Sequence, residues 1–251
     1  MEKSKISLVI PSYNEEGNIG NLVEESFRVI PDEILGELIV VDDHSSDGSI
    51  AEIKQLQKQF PKLRLIIHQT NAGQSAGLRT GILAAKYPII AQLDGDGQND
   101  PGDIAGLYEK LDDPQDDGSS VKDTNSRKTA LVGGVRTKRK DTGSKRLASR
   151  AANKIRDWVL RDGCPDTGCG TKIYWRSAFL RLPFFTSIHR YLPALFQTYG
   201  YHCQYLPVND RPRLVGVSKY NNLNRALIGV YDLVGVSWIR KRTIAPETIE
   251  E

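Results

Sequence analysis

Apolar positions along the first hundred residues fall in short blocks that alternate between two spacings. Ile6 to Ile10 is an apolar-rich run stopped by Pro11, which predicts a buried strand. Gly17 to Arg28 then sets Ile19, Leu22, Val23 and Phe27 at three- and four-residue intervals, which predicts a helix with one apolar side. The pair recurs: Glu37 to Val41 reads as a strand and Ser49 to Gln59 as a helix, then Leu63 to His68 as a strand and Ser75 to Ala85 as a helix. Pro88 to Leu93 is a further apolar run. Strands alternating with helical crossovers predict a parallel sheet with helices on its faces. In such sheets ligands bind beyond the carboxyl ends of the strands. The polar residues gather there, with Asp42-Asp43 after the second strand and Asp94 after the run at 88–93.

The pattern breaks at Asp112 to Lys128, a polar stretch too poor in apolar residues to offset the entropy of ordering, so 112–130 reads as a flexible loop. Leu131 to Val135 resumes as a strand. Lys145 to Leu160 reads as a helix, with Leu147, Ala151, Ile155 and Trp158 facing inward. Near the end, Leu223, Leu227, Val230, Val234 and Trp238 share a helical spacing, and Arg240, Lys241 and Arg242 follow. That stretch is too short to span roughly 30 Å of hydrocarbon and contains Asp232. Two readings stand: a helix packed on the core with a solvated end, or one lying on an anionic membrane.

The chain has 251 residues, 39% of them hydrophobic and 26% charged, the balance of an ordinary globular protein with a sizeable core. Its net charge is only +3, which excludes a global basic field for nucleic acid. The total hides a segregation, because residues 131–160 hold nine Lys or Arg against two acids. Three cysteines do not make a disulfide framework; Cys164 and Cys169 read as structural thiols, with too few partners for zinc. The first apolar run is too short for a signal h-region.

The sharpest chemical feature is Gln92-Leu93-Asp94-Gly95-Asp96-Gly97-Gln98. Asp94 and Asp96 lie two residues apart, so on extended chain their carboxylates face the same way. With the amide oxygen of Gln98 they form a hard, incomplete oxygen site, suited to Mg²⁺ or Mn²⁺ shared with a diphosphate. A calcium loop of the EF-hand kind would need a bidentate Glu further on and helices on both sides.

With these stretches in view, the chain resembles the inverting family 2 glycosyltransferases of the GT-A fold. More narrowly, it resembles the dolichyl-phosphate mannose synthase group and bacterial polyprenyl-phosphate sugar transferases. The resemblance rests on residues 9–16, 40–49 and 71–77 and the Asp94 cluster. It extends through Gly134-Val135-Arg136, a helix with Arg146, Ser149, Arg150 and Asn153, Asp166-Thr167-Gly168-Cys169, and residues 211–220. It implies a mixed, mainly parallel Rossmann-like sheet flanked by helices. A catalytic domain would occupy residues 1–220, as a nucleotide-binding half at 1–111, the loop at 112–130 and an acceptor half at 131–220. An amphipathic C-terminal helix and tail would follow at 221–251.

By the same resemblance, Pro11, Tyr13, Glu15, Val41 and Asp43 would line the nucleotide pocket together with Leu93, Asp94, Gly95 and Asp96. Asp94, Asp96 and Gln98 would hold the metal. Arg136, Arg213 and Lys219 would bind donor or acceptor phosphates, and Arg146, Ser149 and Arg150 would help receive the acceptor phosphate. His189 sits in an aromatic segment resembling the acceptor side of the bacterial relatives; a hydrogen-bonded structural role is the alternative. Cys169-Gly170-Thr171 stands where many relatives have Gly-Phe-Arg.

The implied reaction is sugar transfer from a nucleotide-diphosphate sugar to a polyprenyl phosphate at the cytoplasmic face of a membrane, by a peripheral protein that could form homo-oligomers. Charge grows on the leaving diphosphate, and a divalent ion stabilises it as a Lewis acid. A phosphate monoester is ionised near neutral pH and needs little general-base help, but it does need cations to bring it beside the donor. A hydroxyl acceptor would call for a carboxylate base, for which Asp166 is the candidate in the second half. Transfer to a hydroxyl acceptor and a non-catalytic nucleotide-sugar-binding module are the competing readings.

Overall fold

The computed structural model describes residues 3–113, 128–137, 156–212 and 222–244. Seven strands form one sheet: β1 (Ile6–Ser12), β2 (Leu35–Asp42), β3 (Leu63–Ile67), β4 (Ile89–Gln92), β5 (Thr129–Arg136), β6 (Lys172–Trp175) and β7 (His202–Val208). Their order across the sheet is β3-β2-β1-β4-β6-β5-β7. The helices are α1 (Ile19–Val29), α2 (Ser49–Leu56), α3 (Gln74–Ala84), α4 (Asp103–Lys110), α5 (Arg176–Leu180), α6 (Leu192–Thr198) and α7 (Asn222–Arg242), with a 3₁₀ turn at Ile188–Arg190.

Strand direction decides where a site forms. β1 pairs in parallel with β2 and β4, and β2 with β3. β6 runs antiparallel to both β4 and β5, so β5 points the same way as β4, and β7 pairs in parallel with β5. One edge of the sheet therefore collects the carboxyl ends of six strands and the amino end of β6. The chain reverses its winding between β1 and β4, the switch point at which ligands bind in open α/β sheets.

The apolar runs are buried as their composition requires. β1 and β2 are buried along their whole length. α3 lies unusually close to them because a Cβ on Gly81 would stand 2.4 Å from Val9 Cγ1, a distance only glycine permits. At the opposite edge the buried carboxylate of Glu37 accepts hydrogen bonds from Ser7 Oγ at 2.7 Å, the Lys86 amide at 2.6 Å and Arg64 Nη1 at 2.6 Å. In the second half, Tyr174, Phe179, Phe196 and Tyr201 pack ring against ring.

Four sequence expectations change. β1 runs through Pro11 to Ser12. Its pairing with β4 ends at Val9, so the missing proline N–H leaves no ladder bond unmade. α4, β6 and β7 carry no clear period in the sequence and appear only in the fold. The predicted helix at 145–160 is described only at 156–160, where Trp158 points outward, 77% exposed. Arg156 and Leu160, four residues apart, are the buried pair instead, because Arg156 ion-pairs with the buried Asp162.

Of the apolar stripe on α7, the side chains of Leu223 and Leu227 lie outside the described residues, and the rest is on the outside. Val236 is buried, and Leu233 and Ile239 pack against the core. Val230, Val234 and Trp238 are exposed, as is Tyr231 at 82%. The helix is thus docked by one face and presents an apolar second face to solvent. Among the described residues, no helix is long and apolar enough to cross a membrane.

Candidate active site

The loops beyond β1 and β2 are laced together by their own polar side chains. Asn14 donates its amide to Ser45 Oγ at 2.9 Å and accepts from the Ser46 amide at 2.8 Å on its side-chain oxygen. The Glu15 amide reaches Ser49 Oγ at 2.9 Å, and the Glu15 carboxylate accepts from Asn18 at 3.0 Å. Asp42 accepts from the Ser45 amide and hydroxyl at 2.8 and 2.5 Å. These bonds explain why small polar residues and acids crowd 12–18 and 42–49: they replace the sheet ladder where it ends.

Asp43 is buried and fully engaged. Its carboxylate accepts from the Ala72 amide at 2.8 Å and the Gly73 amide at 2.7 Å, and it meets His68 Nδ1 at 2.7 Å. The other ring nitrogen of His68 meets Thr80 Oγ1 on α3 at 2.9 Å. Asp43 thereby ties the end of β2 to the end of β3 and to the turn that starts α3. Pro11, Val41, Leu93 and Gly95 are buried beneath this edge, so they floor the site. Tyr13, 41% exposed, stands at its surface.

Beyond β4, Asp94 Oδ1 accepts from Gln74 Nε2 at 2.6 Å, and the Asp94 amide donates to Asn99 Oδ1 at 2.9 Å. Asp96 Oδ1 accepts from the Gln98 amide at 3.1 Å, closing a tight turn in which Gly97 takes φ +72°. The Gln98 side chain donates to the Arg211 carbonyl at 3.2 Å, and the Arg211 amide returns a bond to the Gln98 carbonyl at 3.0 Å. Arg211 also pairs with Glu25 and Asp100, each at 2.7 Å, and so pins this loop to α1 and to the end of β7.

Burial, and next the neighbouring Asp96 carboxylate, push the Asp94 pKa up to about 6, against the pull of Lys172, Arg136 and the Gln74 amide. A buried carboxylate whose ionisation is disfavoured by a neighbouring acid suits a divalent cation. Among the described residues no group of three or more His, Cys, Asp or Glu gathers as a metal cage. Among the described residues Asp94 and Asp96 offer hard carboxylate oxygens, with coordination left over for Gln98, phosphate and water, the manner in which Mg²⁺ is usually held. The residues fit that ion.

Arg136, at the end of β5, faces the same edge. Its Nε and Nη2 donate to the two oxygens of Asp166 at 2.7 and 2.9 Å, a bidentate fork. Burial opposes the charge on Arg136, but the Asp166 carboxylate more than offsets it and holds the pKa above the ordinary arginine value. Behind them the buried Lys172 donates to the Cys169 carbonyl. His189 Nδ1 meets Ser75 Oγ at 2.8 Å, linking the 3₁₀ turn to the start of α3.

The structure thus gathers Tyr13, Glu15, Asp43, Asp94, Asp96, Gln98 and Arg136 at one edge. Arg146, Ser149, Arg150, Arg213 and Lys219 lie outside the described residues. Sequence reading assigned no role to Gln74, Asn99, Lys172 or Arg211. Gln74 and Arg211 both sat inside stretches already singled out, which was the available signal.

This sheet, with its acidic turn beyond β4, is the GT-A fold of nucleotide-sugar-dependent glycosyltransferases. Solved structures share it, among them the following two. Glucosyl-3-phosphoglycerate synthase from Mycobacterium tuberculosis, in complex with Mg²⁺ and UDP, aligns with a TM-score of 0.67 and 17% identity over 94% of this chain and 79% of that one. A mannosyltransferase from Pyrobaculum calidifontis, in complex with GDP-mannose and Mn²⁺, aligns with a TM-score of 0.66 and 18% identity over 97% of this chain and 66% of that one. Residues 7–182 match the profile of glycosyl transferase family 2, and the chain belongs to that family. Dodecaprenyl-phosphate galacturonate synthase of Rhizobium johnstonii is 30% identical over 98% of the chain and 70% of its own length. Undecaprenyl-phosphate 4-deoxy-4-formamido-L-arabinose transferase of an Enterobacter species is 29% identical over 92% of the chain. The chain spans 66% of that second relative's length.

Proposed function

We propose that this protein is an inverting glycosyltransferase that moves a sugar from a nucleotide-diphosphate sugar to a polyprenyl phosphate. Asp94, Asp96 and Gln98 would hold Mg²⁺ or Mn²⁺, which when bound neutralises charge on the leaving diphosphate. The loops closed by Asp42, Asp43 and Asn14 would seat the nucleotide, with Tyr13 at the surface. Arg136, with Arg213 and Lys219, would bind phosphate, and Arg146, Ser149 and Arg150 would receive the acceptor phosphate.

The observation that carries this reading is the Arg136–Asp166 fork. Asp166 was the carboxylate available to activate a hydroxyl acceptor, and both of its oxygens are engaged by a cation. An acceptor that is already ionised asks for no such base, and the names of the two relatives agree with it. A detergent assay with labelled UDP- and GDP-hexoses tests it. A lipid-soluble product cleaved by mild acid is expected; an acid-stable glycoside would overturn the acceptor assignment.

On the same reading the protein would work against a membrane surface, on its cytoplasmic side. The outer face of α7 offers Tyr231, Val234 and Trp238, and Arg240, Lys241 and Arg242 follow at its end. Aromatic and aliphatic side chains beside a basic cluster suit an anionic interface. Binding to anionic vesicles should weaken with salt and fall on Trp238→Ser. Salt-independent binding would remove the electrostatic part, and a dimer abolished by Trp238→Ser would assign the face to a second copy.

A further inference from the structure

Asp94 is held from both sides. Gln74 is the first residue of α3, and its amide nitrogen donates to Asp94 Oδ1 at 2.6 Å. On the other side Gly170 presents bare Cα: a Cβ there would stand 2.3 Å from Asp94 Oδ2 and 2.6 Å from Asn99 Oδ1. No side chain larger than hydrogen fits without moving the carboxylate.

The position of Gln74 is itself built. Gly73, before it, takes φ +86° and donates its amide to Asp43, as does Ala72. Asp43 is fixed in turn by His68, and His68 by Thr80 further along α3. Ser75, after it, meets His189. The start of α3 is thus bonded to the end of β2 and to the second half of the chain, and its second turn to His68 after β3, so the Gln74 amide arrives at Asp94 from a rigid support.

We infer that Gln74 and Gly170 are positioning residues that set the rotamer of Asp94 for divalent-cation binding. Gln74 occupies Oδ1 and turns the carboxylate; Gly170 keeps Oδ2 uncrowded. The inference rests on the metal reading of Asp94 and Asp96 made above. Hydrogen-bond partners of a metal-binding carboxylate are typically worth about 10- to 100-fold in metal affinity.

The test is Mn²⁺ binding to the full chain, followed by electron paramagnetic resonance of the free ion, without any sugar donor. Gln74→Leu keeps the helix start and removes the donor. Its Mn²⁺ affinity should fall about tenfold or more, with apo melting temperature close to wild type. Gly170→Ala should lower affinity similarly by displacing Oδ2. In an Asp94→Asn background Gln74→Leu should cost nothing further, because a residue acting through Asp94 is silent once Asp94 is changed. Wild-type affinity in Gln74→Leu, or an equal loss in the Asp94→Asn background, overturns the inference. A wild-type protein that binds no Mn²⁺ overturns the metal reading instead.

Discussion

The raised pKa of the Asp94 carboxyl predicts a proton linkage. In the metal-free protein its pKa is raised from 3.8 to about 6, first by burial and then by Asp96. A native pKa above the unfolded one means that the native state holds its proton more tightly between those two values. Stability of the apo protein is therefore greater below about pH 4 as far as this group is concerned, and is lost as pH rises through about 6. Two pH units correspond to about 3 kcal/mol, the most that this one group contributes. On the metal reading proposed above, a divalent cation would reverse the sign, since it would bind the ionised pair. Below pH 6 each Mn²⁺ bound there should displace about one proton, so apparent affinity should fall about tenfold per pH unit, and above pH 7 it should be flat. Calorimetric melting with and without Mn²⁺, from pH 5 to 8, reads both effects. Mn²⁺ should raise the melting temperature far more at pH 7.5 than at pH 5. Asp96→Asn removes the like charge, so its apo form should be more stable than wild type at pH 7.5, with the break in Asp94 titration at lower pH. A Mn²⁺ effect of equal size at pH 5 and 7.5 would refute the linkage.

Other substitutions separate the roles assigned here. Asp166→Asn removes half of the fork on Arg136; transfer should fall about tenfold with an unchanged pH profile, whereas loss of a general base costs about 10²–10⁴-fold and flattens the profile. Arg211→Ala deletes the pairs to Glu25 and Asp100 and should cost about 1–2 kcal/mol of stability in chemical denaturation. Gly81→Ala forces a methyl against Val9 and should cost about 1–3 kcal/mol in the same measurement, with α3 displaced.

The first half of the fold was legible because its strands are buried on both faces and read as unbroken apolar runs. Ile6–Ile10 and Glu37–Val41 fall inside β1 and β2, and the helix at 75–85 is α3 shifted by one residue. The second half was less so. β6 carries Lys172 in its buried run, where the Cys169 carbonyl accepts its ammonium, and no period announces that. On α7 the most regular apolar stripe was visible, but its direction was not. Val236 and Ile239 face the core, while Val230, Val234 and Trp238 face out, a choice made by what the rest of the chain leaves uncovered. At the site, Asp94 and Asp96 stood out by type and spacing. Gln74 and Gly170 did not, because their effect depends on contact with Asp94 across 20 and 76 positions of sequence.

The most direct measurement compares two acceptors that differ only at the reacting end: a polyprenyl phosphate and the same polyprenol without its phosphate. With Mn²⁺ and a turned-over nucleotide sugar, the wild-type protein should transfer to the phosphate and not to the alcohol, and Asp96→Ala should transfer to neither. Transfer to the alcohol at a comparable rate would contradict the account, because it would require a base where the structure places the Arg136–Asp166 pair.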